Sequence, residues 1–158
     1  MKYKYRAQNL RVIFVFLSFI LVILSFLFKK NKKIRVYLCV IGKNENIYAK
    51  EYVNHYKSLG YDHIFIYDNN DFNGEKFSDI IKEEINQGFV SIINYIGYRG
   101  NSNNTKKEAY IDCYKKNRKH YHWLSFFDFD EYLELKPQNE TIQQFLKKKD
   151  IKIVKILK

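Results

Sequence analysis

Apolar positions along this chain switch repeatedly between short continuous runs and a helical period. Arg35–Ile41 is a short, nearly continuous apolar run, the pattern of a buried strand. Ile47, Tyr48, Tyr52, Val53, Tyr56 and Leu59 then recur at helical spacing, and Gly60 suits the residue just past a helix end. His63–Tyr67 predicts a second strand, and Asp68–Gly74 is rich in turn residues. Phe77, Ile80, Ile81 and Ile85 mark a second helix closed by Gly88, and Phe89–Ile96 contains a third strand. After a Gly97–Asn104 loop, a third helix is predicted from Thr105 to about His120, with Ala109, Tyr110, Cys113 and Tyr114 inward. Trp123–Phe127 is a fourth strand, Thr141–Lys149 a short helix, and Ile151–Ile156 begins a fifth strand. No internal repeat is present.

Strands that alternate with helices imply βαβ units and a parallel sheet with flanking helices. Right-handed crossovers give the order 3-2-1-4, with the switch point between strands one and four. That order sets the Lys43-Asn44-Glu45 loop beside the segment that follows strand four. A fifth strand starting in the last residues leaves two readings, a minimal fold or the front part of a longer protein, and the poorly covered sheet edge favours the second.

Before the alternating region lies an uncharged apolar segment, Val12–Phe28, about 26 Å long as a helix, near the lower limit for a bilayer. Its end lacks the small-residue cleavage site of a signal peptide, so it reads as an uncleaved transmembrane signal anchor. The predicted organisation is a basic cytosolic tail (1–11), the anchor (12–28), a basic linker (29–34) and an α/β domain (35–158).

Charge supports that organisation. The formal net charge is +11, yet residues 1–35 hold nine of the 28 Lys and Arg and no acid, leaving 19 basic against 17 acidic residues in the remainder. The basic excess therefore flanks the apolar segment, which favours membrane lipid headgroups over a nucleic-acid partner. Basic residues precede and follow the anchor alike, so charge leaves its orientation open. The two cysteines, Cys39 and Cys113, fall in a strand and a helix pattern and are expected to be buried free thiols.

The candidate chemistry is acidic. Asp128 and Asp130, followed by Glu131, sit just past the fourth strand, where open α/β sheets place their ligands. Two carboxylates there can hold a divalent cation, Mn²⁺ or Mg²⁺, which in turn holds a diphosphate. On spacing alone a solvated acidic turn is equally open. Glu45 could instead cap the first helix, Lys43 could be a solvated loop charge, and Arg99 and Lys106 are expected to be solvated charges beside a loop. Asn69–Gly74 mimics a calcium loop, but Ile80 stands at its twelfth position where a glutamate is needed.

Three segments together carry a resemblance: Cys39–Glu45 with Tyr52 and His55–Gly60; Asp62–Asn70; and Ala109–Cys113 leading into Trp123–Leu133. Over about residues 36–157 they resemble the front half of glycosyltransferase family 92, in the GT-A superfamily. The resemblance implies a Rossmann-like GT-A sheet and a membrane-anchored enzyme. Such an enzyme transfers a sugar, typically galactose, from a nucleotide-sugar such as UDP-galactose to a glycan or glycoprotein acceptor. It also implies a divalent metal, usually manganese, and a single-pass type II protein with its domain in the Golgi lumen. Carried over by position, Asp128 and Asp130 correspond to the metal and diphosphate motif. Asp68 corresponds to the residue that meets base or ribose, and Lys43, Asn44 and Glu45 to the loop lining the nucleotide pocket. On the residues alone, Asp68 closes the second strand as a turn. Near Lys106 the family often has glutamine. Its catalytic base would lie beyond Lys158, so a non-catalytic membrane-anchored relic or interaction module is the alternative. Two sequons, at Asn103 and Asn139, fall in predicted loops.

Overall fold

In the computed structural model, strands β1 (Val36–Gly42), β2 (His63–Asp68), β3 (Val90–Asn94) and β4 (Trp123–Phe126) form one sheet in the order β3-β2-β1-β4. Every pairing is parallel. The structure describes residues 33–95, 102–137 and 139–148. The segment Val12–Phe28 and the expected fifth strand lie outside the described residues. Among the described residues no helix is long and apolar enough to cross a membrane. The chain divides between Lys33 and Ile34 into two units, and the sheet belongs to the second.

Alternation along β1 divides the core. Val36, Leu38 and Val40 face one layer, while Cys39 faces the other. The first layer includes α1 (Asn46–Ser58), which contributes Ala49, Tyr52, Val53 and Tyr56, all fully buried. Ile64, Ile66, Phe77, Ile81, Phe129 and Ile142 belong to the same cluster. Each large apolar side chain buried in this way stabilises the fold by about 1.5–3 kcal/mol. The second layer is α4 (Ser102–Asn117), whose Ala109, Tyr110 and Cys113 pack on Cys39 and Tyr67.

α1 ends as its sequence predicts. Gly60 takes φ +87°, its amide donates to Lys57 O, and the Tyr61 amide donates to Tyr56 O. These are the paired bonds of a left-handed helix stop, which glycine makes without strain. Its start departs from expectation. Ile47 and Tyr48 match the apolar period but are 77% and 50% exposed, because the packed stripe is the one through Ala49, Tyr52, Val53 and Tyr56.

The expected second helix is broken into α2 (Phe77–Ile80) and α3 (Lys82–Asn86). Ile81, at φ −118° and ψ 36°, interrupts the two and turns its side chain into the core, leaving Ile80 exposed. α4 begins three residues earlier than expected, so Asn103 lies in its first turn and not in a loop. Asn139 stays outside helix, before α5 (Ile142–Lys148).

The cysteines correct the sequence reading. Cys39 and Cys113 form a disulfide across 74 residues, with Cα atoms 6.7 Å apart, and no free cysteine remains. Strand alternation turns Cys39 toward α4, and the buried stripe of α4 turns Cys113 toward β1. Neither fact is visible in the spacing of the two residues.

Candidate active site

All four strands run the same way, so their carboxyl ends share one edge. Gly42 at the end of β1 is the register partner of Asp68 at the end of β2. β4 pairs with the first half of β1, as far as Cys39 opposite Phe126. Its continuation, 127–133, therefore runs past the end of β1.

The middle residue of the acidic motif anchors it. Phe129 is buried and stacks on Phe77, with ring centroids 4.9 Å apart and planes 2° from parallel. Both rings lie over Gly42, where a Cβ would sit 2.5 Å from Phe129 Cε2 and 2.8 Å from Phe77 Cζ. Glycine is required there to admit the rings. With Phe129 inward, Asp128 is left half-buried and Asp130 exposed.

α1 holds the same loop by its backbone. Tyr52 Oη donates to Phe127 O at 3.2 Å, and Tyr56 Oη donates to Glu131 O at 2.8 Å. Tyr56 Oη also accepts from the Leu133 amide at 3.3 Å, and His55 Nε2 lies 3.0 Å from Leu133 O. Glu131 folds back so that its carboxylate accepts from the Asp128 amide at 2.9 Å, while its own amide donates to Asp128 O. Its observed role is to shape the turn.

The loops after β1 and β2 are tied together by asparagines. Asn44 has φ +60°, a left-handed conformation that asparagine adopts more readily than most residues. Its amide donates to Asn70 Oδ1 at 2.7 Å, and Asn70 Nδ2 donates to Asn46 Oδ1 at 2.9 Å. Lys43 Nζ pairs with Asp71 at 2.9 Å. Asp68 is buried, and its two oxygens accept from the amides of Asn70 and Phe77, at 3.1 and 3.3 Å. It therefore stands beneath the edge and orders the 69–71 loop.

Glu45 lies within electrostatic reach of Asp128 and Asp130. Burial raises the Glu45 carboxyl above its ordinary range, and the charges of Asp130 and Asp128 add to that rise. The Lys43 amide and the Lys106 ammonium oppose it.

Two further residues come from α4. Tyr110 Oη donates to Asp128 Oδ1 at 3.1 Å. Burial and the neighbouring Asp128 charge both hold this phenol protonated, so it acts as a donor. Lys106 Nζ pairs with Asp128 Oδ2 and lies 5.9 Å from the Tyr110 ring centroid. In the sequence alone Lys106 reads as a solvated charge and Tyr110 as core. Their i, i+4 spacing on a helix facing the motif is the signal that joins them.

Among the described residues no three His, Cys, Asp or Glu side chains are grouped to coordinate a metal ion. The donors at this edge are carboxylates, hard oxygen ligands that fit Mg²⁺ or Mn²⁺ when a ligand's phosphates and water complete the shell. The misfit is Asp128, whose two oxygens already have protein partners.

An open parallel sheet covered on both faces, with its polar loops past the carboxyl ends of adjacent strands, defines a doubly wound α/β protein, a class that binds ligands at the switch point. The family model of glycosyltransferase family 92 matches residues 34–157, and the chain belongs to that family. A glycosyltransferase family 92 protein of rice (Oryza sativa subsp. japonica) is 27% identical over 115 residues, covering 73% of this chain and 18% of the rice protein. The chain thus spans about a fifth of the length of that curated relative. No solved structure matches it.

Proposed function

We propose that this chain forms the donor side of a glycosyltransferase with the GT-A type of sheet. A nucleotide-sugar of the UDP-sugar class binds over the switch-point edge, between the 43–45 loop and the 128–131 turn. Its hexose, galactose being one candidate, passes to a glycan or glycoprotein acceptor. The observation that carries this reading is the packing of Phe129, between Asp128 and Asp130, over Gly42, which directly precedes the 43–45 loop, at the edge where α/β sheets bind ligands.

Asp128 and Asp130 would hold a divalent cation, Mn²⁺ or Mg²⁺. When bound, such an ion neutralises the charge that develops on a diphosphate leaving group. The chain's own residues set the frame. Phe129 and the tyrosines of α1 fix the motif, and Asn70 fixes Asn44 and with it the first loop. Asp68 serves the nucleotide through the loop it orders, since both its oxygens are engaged by backbone amides.

The same proposal makes the protein a type II membrane protein of the Golgi or another secretory lumen. It draws support from the apolar segment Val12–Phe28 and from the disulfide, a bond that persists in oxidising compartments.

Calorimetric titration of the 158-residue chain in detergent with UDP-galactose and UDP-glucose, with and without Mn²⁺, tests the donor site. Binding is expected in the presence of Mn²⁺, weakened by at least about tenfold in Asp128→Asn/Asp130→Asn, since a charge-assisted contact contributes about 1.5–3 kcal/mol. A wild-type chain that stays folded by circular dichroism yet binds neither sugar nucleotide would overturn the proposal.

A further inference from the structure

We propose that Lys106 is a built-in competitor for the metal position. It holds Asp128 while the site is empty and gives it up when a diphosphate arrives. The inference rests on the donor-site reading above and adds how that site is loaded.

The geometry is specific. Lys106 Nζ takes Oδ2 of Asp128, and the Tyr110 hydroxyl takes Oδ1, so both oxygens of the motif's first carboxylate are spoken for. An ammonium in contact with a carboxylate repels a divalent cation approaching the same oxygen. That leaves exposed Asp130 as the motif's other carboxylate.

The lysine is placed to leave. Lys106, Tyr110 and Cys113 lie at i, i+4 and i+7 on one face of α4, and the disulfide through Cys113 ties that face to β1. The helix is thereby held while the side chain, 46% exposed on a flexible four-carbon stem, is free to swing. A diphosphate carries more negative charge than one carboxylate and has oxygens on all sides. It draws the ammonium off Asp128 without moving the helix, and the vacated oxygen becomes a metal ligand. Nucleotide and metal therefore bind with positive cooperativity, each raising the affinity of the other.

The test titrates Mn²⁺ alone, followed by the paramagnetic resonance of free Mn²⁺, into the 158-residue chain in detergent and into Lys106→Gln, Lys106→Met and Lys106→Arg. The glutamine and methionine variants are expected to bind Mn²⁺ about fivefold or more tightly than wild type, from loss of a partly exposed ion pair and its repulsion. The arginine variant, which keeps the charge, should stay as weak as wild type. UDP should raise Mn²⁺ affinity by a larger factor in wild type than in the two neutral variants, where its phosphates add metal ligands but displace no lysine. Mn²⁺ affinity that is unchanged or weaker in the neutral variants, with α4 intact by circular dichroism, overturns the competition. UDP that binds none of the four proteins overturns the donor-site reading instead, and the Mn²⁺ titrations without nucleotide still decide whether Lys106 competes.

Discussion

Gly42 ends β1 at a point where two aromatic rings occupy the space a side chain would take. The aspartates of the motif project outward because Phe129 between them is driven inward, and that requires the bare backbone of Gly42. Gly42→Ala should therefore cost about 1–3 kcal/mol of stability, as overpacking of a dense core does. It should also weaken UDP-sugar binding by displacing the motif. Urea denaturation reads the first effect and calorimetry the second. Phe129→Leu in the same chain should recover part of the lost stability by vacating space, and a Gly42→Ala chain as stable as wild type would mean that the contact is not tight. Of these features, the place of Asp128, Asp130 and Glu45 just past strands is legible in the sequence, because the strands show in its apolar runs. The part of Phe129 is not, since an aromatic residue between two aspartates reads equally as exposed or buried until the strand beneath it is known. Lys106 and Tyr110 escape a sequence reading for a related reason: their spacing is visible, but the partner they share lies 22 and 18 residues away.

At the scale of elements, periodicity finds four strands and most helices, and fails where a break or a pairing has no local pattern. The segment from Phe77 to Ile85 carries apolar residues at helical spacing, and Phe77 and Ile81, four positions apart, both reach the core. The helix nonetheless breaks at Ile81, whose φ −118° and ψ 36° leave the helical range, and apolar spacing does not record that break. The disulfide is a second case. Two cysteines 74 residues apart carry no mutual signal in the chain, and only the packing of α4 on β1 brings them together. Closing so long a loop restricts the unfolded chain, so reduction or Cys113→Ala should lower stability by about 2–5 kcal/mol. Urea melts with and without dithiothreitol measure this, and coincident melts would return the cysteines to the free thiols that their sequence context suggests.

Across the whole molecule, the distribution of charge carries more information than its total. The +11 excess is concentrated around the apolar segment, and the α/β domain is close to balanced. Together with the disulfide this supports the proposal of an anchored domain in an oxidising lumen. Asn139 is exposed and lies outside helix, whereas Asn103 sits in the first turn of α4. The expected outcome in a secretory cell is a glycosidase-sensitive mass shift that Asn139→Gln removes, with the domain protected from protease in intact microsomes. An unshifted, protease-accessible domain would place it on the cytosolic side.

The amino-acid sequence by itself determined the alternating α/β plan, the 3-2-1-4 order of its strands, and the place of its acidic motif, because these follow from local periodicity and the handedness of crossovers. The tertiary structure alone decided which side chains surround that motif. That Asp128 meets Lys106 and Tyr110, that Asp68 accepts from its own loop, and that two cysteines pair all depend on contacts between segments distant in the chain. Such contacts are set by how layers pack against the sheet, and no local pattern of residues records them.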